Sequence, residues 1–152
     1  MKTKKTVEQR FWEKVGPHTN SKVCWLWLGA SSIGNHSKQR YGHFRIGADV
    51  VSAHRLSYEM HYHVTIPTGM TIDHVRARGC TSTLCVNPYH LEVVTGKVNT
   101  LRGDGPSAKH AKKTHCPQGH PYNKENTRES YGSRWCRVCD RERHRLKKAA
   151  QP

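Results

Sequence analysis

The chain has 152 residues, 26 of them Lys or Arg and 11 Asp or Glu, with a formal charge of +15 at neutral pH and only 34% hydrophobic residues. Such a composition supports one small core plus an appendage and calls for staples to hold it. No apolar run is long enough for a membrane helix, no basic helix carries a broad apolar face and no signal-peptide core is present. The positive charge is therefore read as a footprint for nucleic acid, and the protein is expected to be cytoplasmic with no membrane partner.

The six cysteines, at positions 24, 80, 85, 116, 136 and 139, suit disulfides in a secreted protein or zinc in an intracellular one. Histidines at ligand spacing beside them favour zinc.

Residues 1–23 read as a basic arm and a short helix. The arm is the lysine-rich stretch 1–6. The stretch VEQRFWEKV places Val7, Phe11, Trp12 and Val15 on one side of a helix. Cys24 then opens CWLWLGA, whose alternation predicts a strand. SSIGNHSKQ reads as a polar loop turning at Gly34-Asn35. YGHFRI and DVVSA form a hairpin through Gly47-Ala48, and a β-ribbon bearing Arg40 and Arg45 fits a DNA groove. Residues 53–62, AHRLSYEMHY, predict a helix with Leu56, Met60 and one of Tyr58 or Tyr62 inward. His54 and Arg55 are open to a place in the functional site, although a lone histidine on such a helix is more often structural; HVTIPTGM reads as a connecting loop.

Residues 71–102, TIDHVRARGCTSTLCVNPYHLEVVTGKVNTLR, carry the densest chemistry. They predict a strand at 71–74, a loop at 75–84, a strand at 91–94, and a helix capped by Thr95 and ended by Gly103. Cys80, Cys85 and His90 stand in C-x4-C-x4-H order. A structural zinc site takes four ligands, so Cys24 is the candidate fourth. Asp73, His74 and Asn99 form a second set. An imidazole can deprotonate a water near neutral pH, and a hard cation on oxygen ligands can neutralise a phosphodiester transition state.

Residues 104–114 read as a Gly/Pro/Lys linker. In 115–152, Cys116-x3-His120 and Cys136-x2-Cys139 are separated by 15 residues, a zinc-ribbon spacing. His115 competes with His120 but is adjacent to Cys116. The tail RERHRLKK predicts a basic helix whose Arg141, Arg143 and Arg145 track phosphates.

The string HRLSYEM…IDHV…CVNPYHLEVVTGKVNTLRG resembles the HNH, or ββα-metal, endonucleases, especially those encoded by phages and introns. The spacing from Cys80 to Asn99 also resembles the His-Cys box homing endonucleases, although five residues separate His74 from Cys80 here, more than in that family. The resemblance implies an α+β protein: an HNH ββα-metal nuclease domain with antiparallel hairpins at 24–103, plus a C-terminal zinc-ribbon-like module at 115–152. It implies His74 as general base, Asn87 as brace of the loop that orients it, and Asp73 and Asn99 as ligands of Mg²⁺ or a similar cation. It implies two structural Zn²⁺ ions, the first held by Cys24, Cys80, Cys85 and His90 and the second by Cys116, His120, Cys136 and Cys139. The expected substrate is double-stranded DNA, with Arg45, Arg55, Arg76 and Arg78 as candidate phosphate clamps. Cutting both strands calls for a homodimer or two successive nicks. The setting is a phage-infected host or its nucleoid, in a homing, restriction or packaging role. The competing reading is a zinc-dependent DNA-binding protein without catalysis.

Overall fold

The computed structural model describes residues 4–34 and 39–150. The chain divides into two units, 1–99 and 100–152. It is an α+β protein with small antiparallel sheets. Among the described residues, no helix is long and apolar enough to cross a membrane.

In the first unit, helix α1 (Val7–Trp12) opens on a reciprocal cap. Thr6 Oγ1 accepts the Gln9 N–H at 3.1 Å, and Gln9 Oε1 accepts the Thr6 N–H at 3.0 Å. The helix stops short of the predicted 7–15. The amides of Lys14 and Val15 turn back onto Phe11 and Trp12, and Val15 then bridges to Trp27. Phe11 and Val15 are core residues, so the segment expected to be an arm and helix outside the domain is part of its core. The first three residues of the arm lie outside the described region; Lys5, within it, pairs with Glu13.

The predicted strand CWLWLGA is not a ladder strand. It is an extended strap bonded on both edges. Leu26 O and Leu28 N bond to Gly16 and Lys14 on one side; Trp27 N and Trp25 O bond to Leu84 and Val86 on the other. Contacts this short on each edge give isolated bridges in place of a sheet. The alternation holds: Trp25 and Trp27 are buried, while Leu26 and Leu28 face out.

A three-stranded sheet follows, in the order β1 (Ser31–Ile33), β2 (Arg40–Ile46), β3 (Asp49–Ser52). The β2–β3 hairpin is as expected, turning at Gly47 with φ of 60°. β1 lies where a loop was predicted, paired with the start of β2. The Gly34-Asn35 turn falls partly outside the described residues. Helix α2 (Ala53–Tyr62) starts directly after β3, as predicted. Its Leu56 and Met60 pack against a cluster of Phe11, Val15, Trp25, Trp27, Phe44, Ala53 and Val86. Tyr58 packs instead against Ile66, Ile72 and Leu91, and Tyr62 is left exposed.

Strands β4 (Met70–His74) and β5 (Leu91–Thr95) pair antiparallel, with Asp73 opposite Glu92 and His74 opposite Leu91. Helix α3 (Gly96–Arg102) follows β5 at once, its Val98 N–H capped by Thr95 Oγ1 at 3.3 Å.

The second unit contains a helix where a linker was expected. Helix α4 (Pro106–Lys112) has Gly105 at its N-cap and Pro106 at the first helical position, where a missing N–H costs nothing. Ala108 is buried, and Arg134 donates to the His110 carbonyl. Strands β6 (Thr127–Ser130) and β7 (Ser133–Cys136) form a hairpin. Its two-residue turn, Tyr131-Gly132, has φ of 48° and 71°, which matches the twist of the strands. Helix α5 (Arg137–Ala149) is the predicted basic helix.

The Trp27 indole lies against Gly42 of β2 and Gly29, and a methyl group at either position would fall well inside contact distance of the ring. Gly42→Ala should therefore destabilise the first unit by about 1–3 kcal/mol through overpacking. Urea denaturation followed by tryptophan fluorescence will measure it.

Candidate metal centres and the histidine pair beside the first

Two groups among the described residues bring metal-binding side chains together: Cys24, Cys80, Cys85 and His90; and Cys116, His120, Cys136 and Cys139. Within each, the ligand atoms lie within 4.8 Å of one another. These are the two sets expected from spacing, and they use all six cysteines, none of which is in a disulfide. Cys₃His donors around one point are the ligands a structural zinc takes.

The first group is assembled by the strap. Its bonds to Leu84 and Val86 carry Cys24 alongside Cys85. His90 Nδ1 lies 3.7 Å from Cys85 Sγ and 3.8 Å from Cys24 Sγ, the edge lengths of a tetrahedron around zinc. Backbone amides point at the sulfurs: Thr81 N–H at Cys24 and Asn87 N–H at Cys85, each at 3.4 Å. Such bonds orient and stabilise thiolates. Asn87 is fully buried, and its side chain is fully used. Its amide donates to Ser21 O at 2.8 Å and Val23 O at 2.7 Å, and its oxygen accepts the Tyr89 N–H at 3.1 Å. The residue thus braces the backbone leading into Cys24.

The Cys80 thiol is held down to about 4, first by its hydrogen bond with Cys85 and then, against burial, by His74. Cys85 is pushed up by the same shared bond. Cys80 is therefore the anionic partner of the pair. His74, at the end of β4, places Nδ1 3.4 Å from this sulfur. When that sulfur is a thiolate, as it would be as a metal ligand, it accepts from Nδ1 and leaves the lone pair on Nε2. His74 Nε2 is buried without a hydrogen-bond partner. Asp73, the preceding residue, is buried, and Asn99 is half-buried on α3.

The second group sits in a knuckle and a hairpin. Cys116 N–H bonds to His120 O, and Gly119 turns with φ of 80°. His120 Nδ1 is 3.6 Å from Cys116 Sγ and 3.3 Å from Cys139 Sγ. His115 stays outside the group, bonded to Thr114 Oγ1. Desolvation would raise the Cys136 thiol, but the Cys139 N–H and the Asn126 amide bring it down to about 6.

The arginines differ in their surroundings. Arg45 and Arg76 are exposed, on β2 and on the turn after β4. Arg55 is turned inward, donating to Ile66 O at 2.7 Å and Met70 O at 3.2 Å beside Glu59. Arg78 donates to Leu91 O and pairs with Glu92 at 3.1 Å. On α5, Arg143 and Arg145 pair with Asp140 and Glu142, and Arg141 is exposed.

Sequence reasoning weighed His54 for the functional site and favoured a structural role. Its ring lies 5.2 Å from that of His74, and its Nδ1 is also buried and unpartnered. Burial, followed by the charges of His74, Arg55 and His43, pushes His54 down to about 3. Only the strand–helix contact reveals the pair; no spacing rule links positions 54 and 74.

No family model, curated protein or solved structure matches the chain.

The donor sets predict two equivalents of zinc per chain by elemental analysis. Cys85→Ser and Cys136→Ser should each remove one. The first should also lower the thermal midpoint of unit one, because it removes a fully buried ligand.

Proposed function

We propose that this chain is a divalent-metal-dependent DNA endonuclease of the HNH kind. The observation that carries the reading is the state of His74. Its Nδ1 faces the Cys80 sulfur at 3.4 Å and its Nε2 is buried without a hydrogen-bond partner, beside Asp73 at the end of a strand. The excess of positive charge supplies the attraction for the phosphate backbone.

In this reading His74 Nε2 takes the proton of the attacking water. Asp73 on β4 and Asn99 on α3 present oxygen donors, and a bound Mg²⁺ would neutralise charge on the phosphate and on the departing 3′ oxygen. The zinc of the first group has no open position when four protein ligands fill it, so it holds the loop that carries the Cys80 thiolate to His74. Arg45, exposed on β2, is the better placed phosphate contact in the first unit, since Arg55 and Arg78 are engaged by carbonyls. The cysteine–histidine finger and α5 supply further backbone contacts through Arg141 and its neighbours.

Supercoiled plasmid with Mg²⁺ tests the reading. Wild type should yield nicked or linear DNA, and His74→Ala should lower the rate by about 10²–10⁴-fold with plasmid binding retained. Tight binding without cleavage by wild type would favour the non-catalytic DNA-binding reading. Arg141→Ala should leave cleavage chemistry intact and reduce the salt slope of binding by about one.

A further inference from the structure

His74 has a neighbour that the proposed reaction does not yet use. The His54 and His74 rings are 5.2 Å apart and inclined at 46°, and each carries a buried nitrogen that no protein atom satisfies, Nδ1 of His54 and Nε2 of His74. The groups around His54 are accounted for. Tyr41 lies ring to ring at 6.0 Å and its hydroxyl donates to Gln39. His43 Nε2 bonds to Ser32 Oγ at 2.6 Å. Arg55 is turned onto the carbonyls of Ile66 and Met70. Two unsatisfied nitrogens on adjoining rings are what a single ordered water resolves. A water giving one hydrogen to each spans about 4.5 Å between two nitrogens, a distance that rings with centroids 5.2 Å apart can present.

We propose that His54 is a second imidazole of the catalytic centre, which together with His74 grips the attacking water by its two hydrogens. This rests on the nuclease reading above. With both hydrogens directed at the rings, the water's lone pairs face outward, where the phosphorus approaches. In the step, the water oxygen bonds to phosphorus and the bond from phosphorus to O3′ breaks. One water proton passes to His74 Nε2. The other stays on the oxygen, now part of the 5′-phosphate, and the 3′ oxygen takes a proton from solvent. His54 remains neutral throughout, as its burial requires. It orients the nucleophile and does not act as a cation on the phosphate.

The test uses the full chain loaded with zinc, cutting supercoiled plasmid with Mg²⁺ under single-turnover conditions. His54→Ala should slow cleavage by about 10²-fold, with plasmid affinity, zinc content and melting temperature held. His54→Asn should recover most of the loss, because its Oδ1 stands where Nδ1 does. His54→Gln, which places its oxygen where Nε2 does, should not. Wild-type cleavage by His54→Ala, or equal rescue by Asn and Gln, overturns the role of His54 while leaving His74 and the nuclease reading in place. A crystal structure supplies the readout independent of activity. A water within hydrogen-bond distance of both nitrogens is expected, and a direct protein partner for His54 Nδ1 overturns the proposal. Failure of wild type to cut any plasmid overturns the nuclease reading itself, and the catalytic role of His54 with it.

Discussion

Four main-chain hydrogen bonds along the strap at residues 25–28 hold the first unit together. They join it to the N-terminal segment on one edge and to the Leu84–Val86 segment on the other. Side chains alternate along such a segment, so its register decides everything nearby. In the observed register Trp25 and Trp27 enter the core and Cys24 meets Cys85. A slip of one residue would put Leu26 and Leu28 inside and swing Cys24 away from the other ligands. Trp27 fits only because β2 presents Gly42 to it. A scarce set of apolar residues is thus made sufficient by concentrating it in large aromatic rings: Phe11 stands 5.0 Å from Trp27 and 5.4 Å from Phe44.

The same strap links stability to chemistry. It completes the first candidate metal-binding group, and that group contains the Cys80 sulfur that lies 3.4 Å from His74 Nδ1. In many sites a carboxylate or a carbonyl fixes the tautomer of a working histidine. Here a sulfur of the metal-binding group is in the position to do it. The side chain of Asn87 works one step further back, on the backbone that delivers Cys24.

Much of this was readable from residue order. Ligand spacing gave the second metal-binding group and three ligands of the first, because zinc favours short intervals along a chain; Cys24 followed only from the need for a fourth ligand and from the family resemblance. Helix α2 and the β4–β5–α3 unit followed from hydrophobic pattern and from Thr95 as a cap. Three features were hidden for identifiable reasons. The strap alternates like a strand, but whether an alternating segment finds a ladder depends on partners distant in sequence. Helix α4 was masked by Gly105 and Pro106, which signal a break unless they are recognised as the start of a helix. His54 was discounted because a lone histidine on a half-polar helix carries no signal, and its relation to His74 exists only once α2 packs beside β4.

The two metal-binding groups differ in how far apart their ligands lie along the chain. Cys24 and His90 are 66 residues apart, whereas Cys116 and Cys139 are separated by only 23. Closing the longer loop costs more chain entropy and waits on the strap and the β4–β5 hairpin being formed, while the finger's ligands lie close enough to collect an ion from a nearly unstructured chain. If zinc fills both groups, the finger should load first and the first unit last. When zinc is scarce, the population that accumulates would carry a finished basic finger attached to an unfinished first unit.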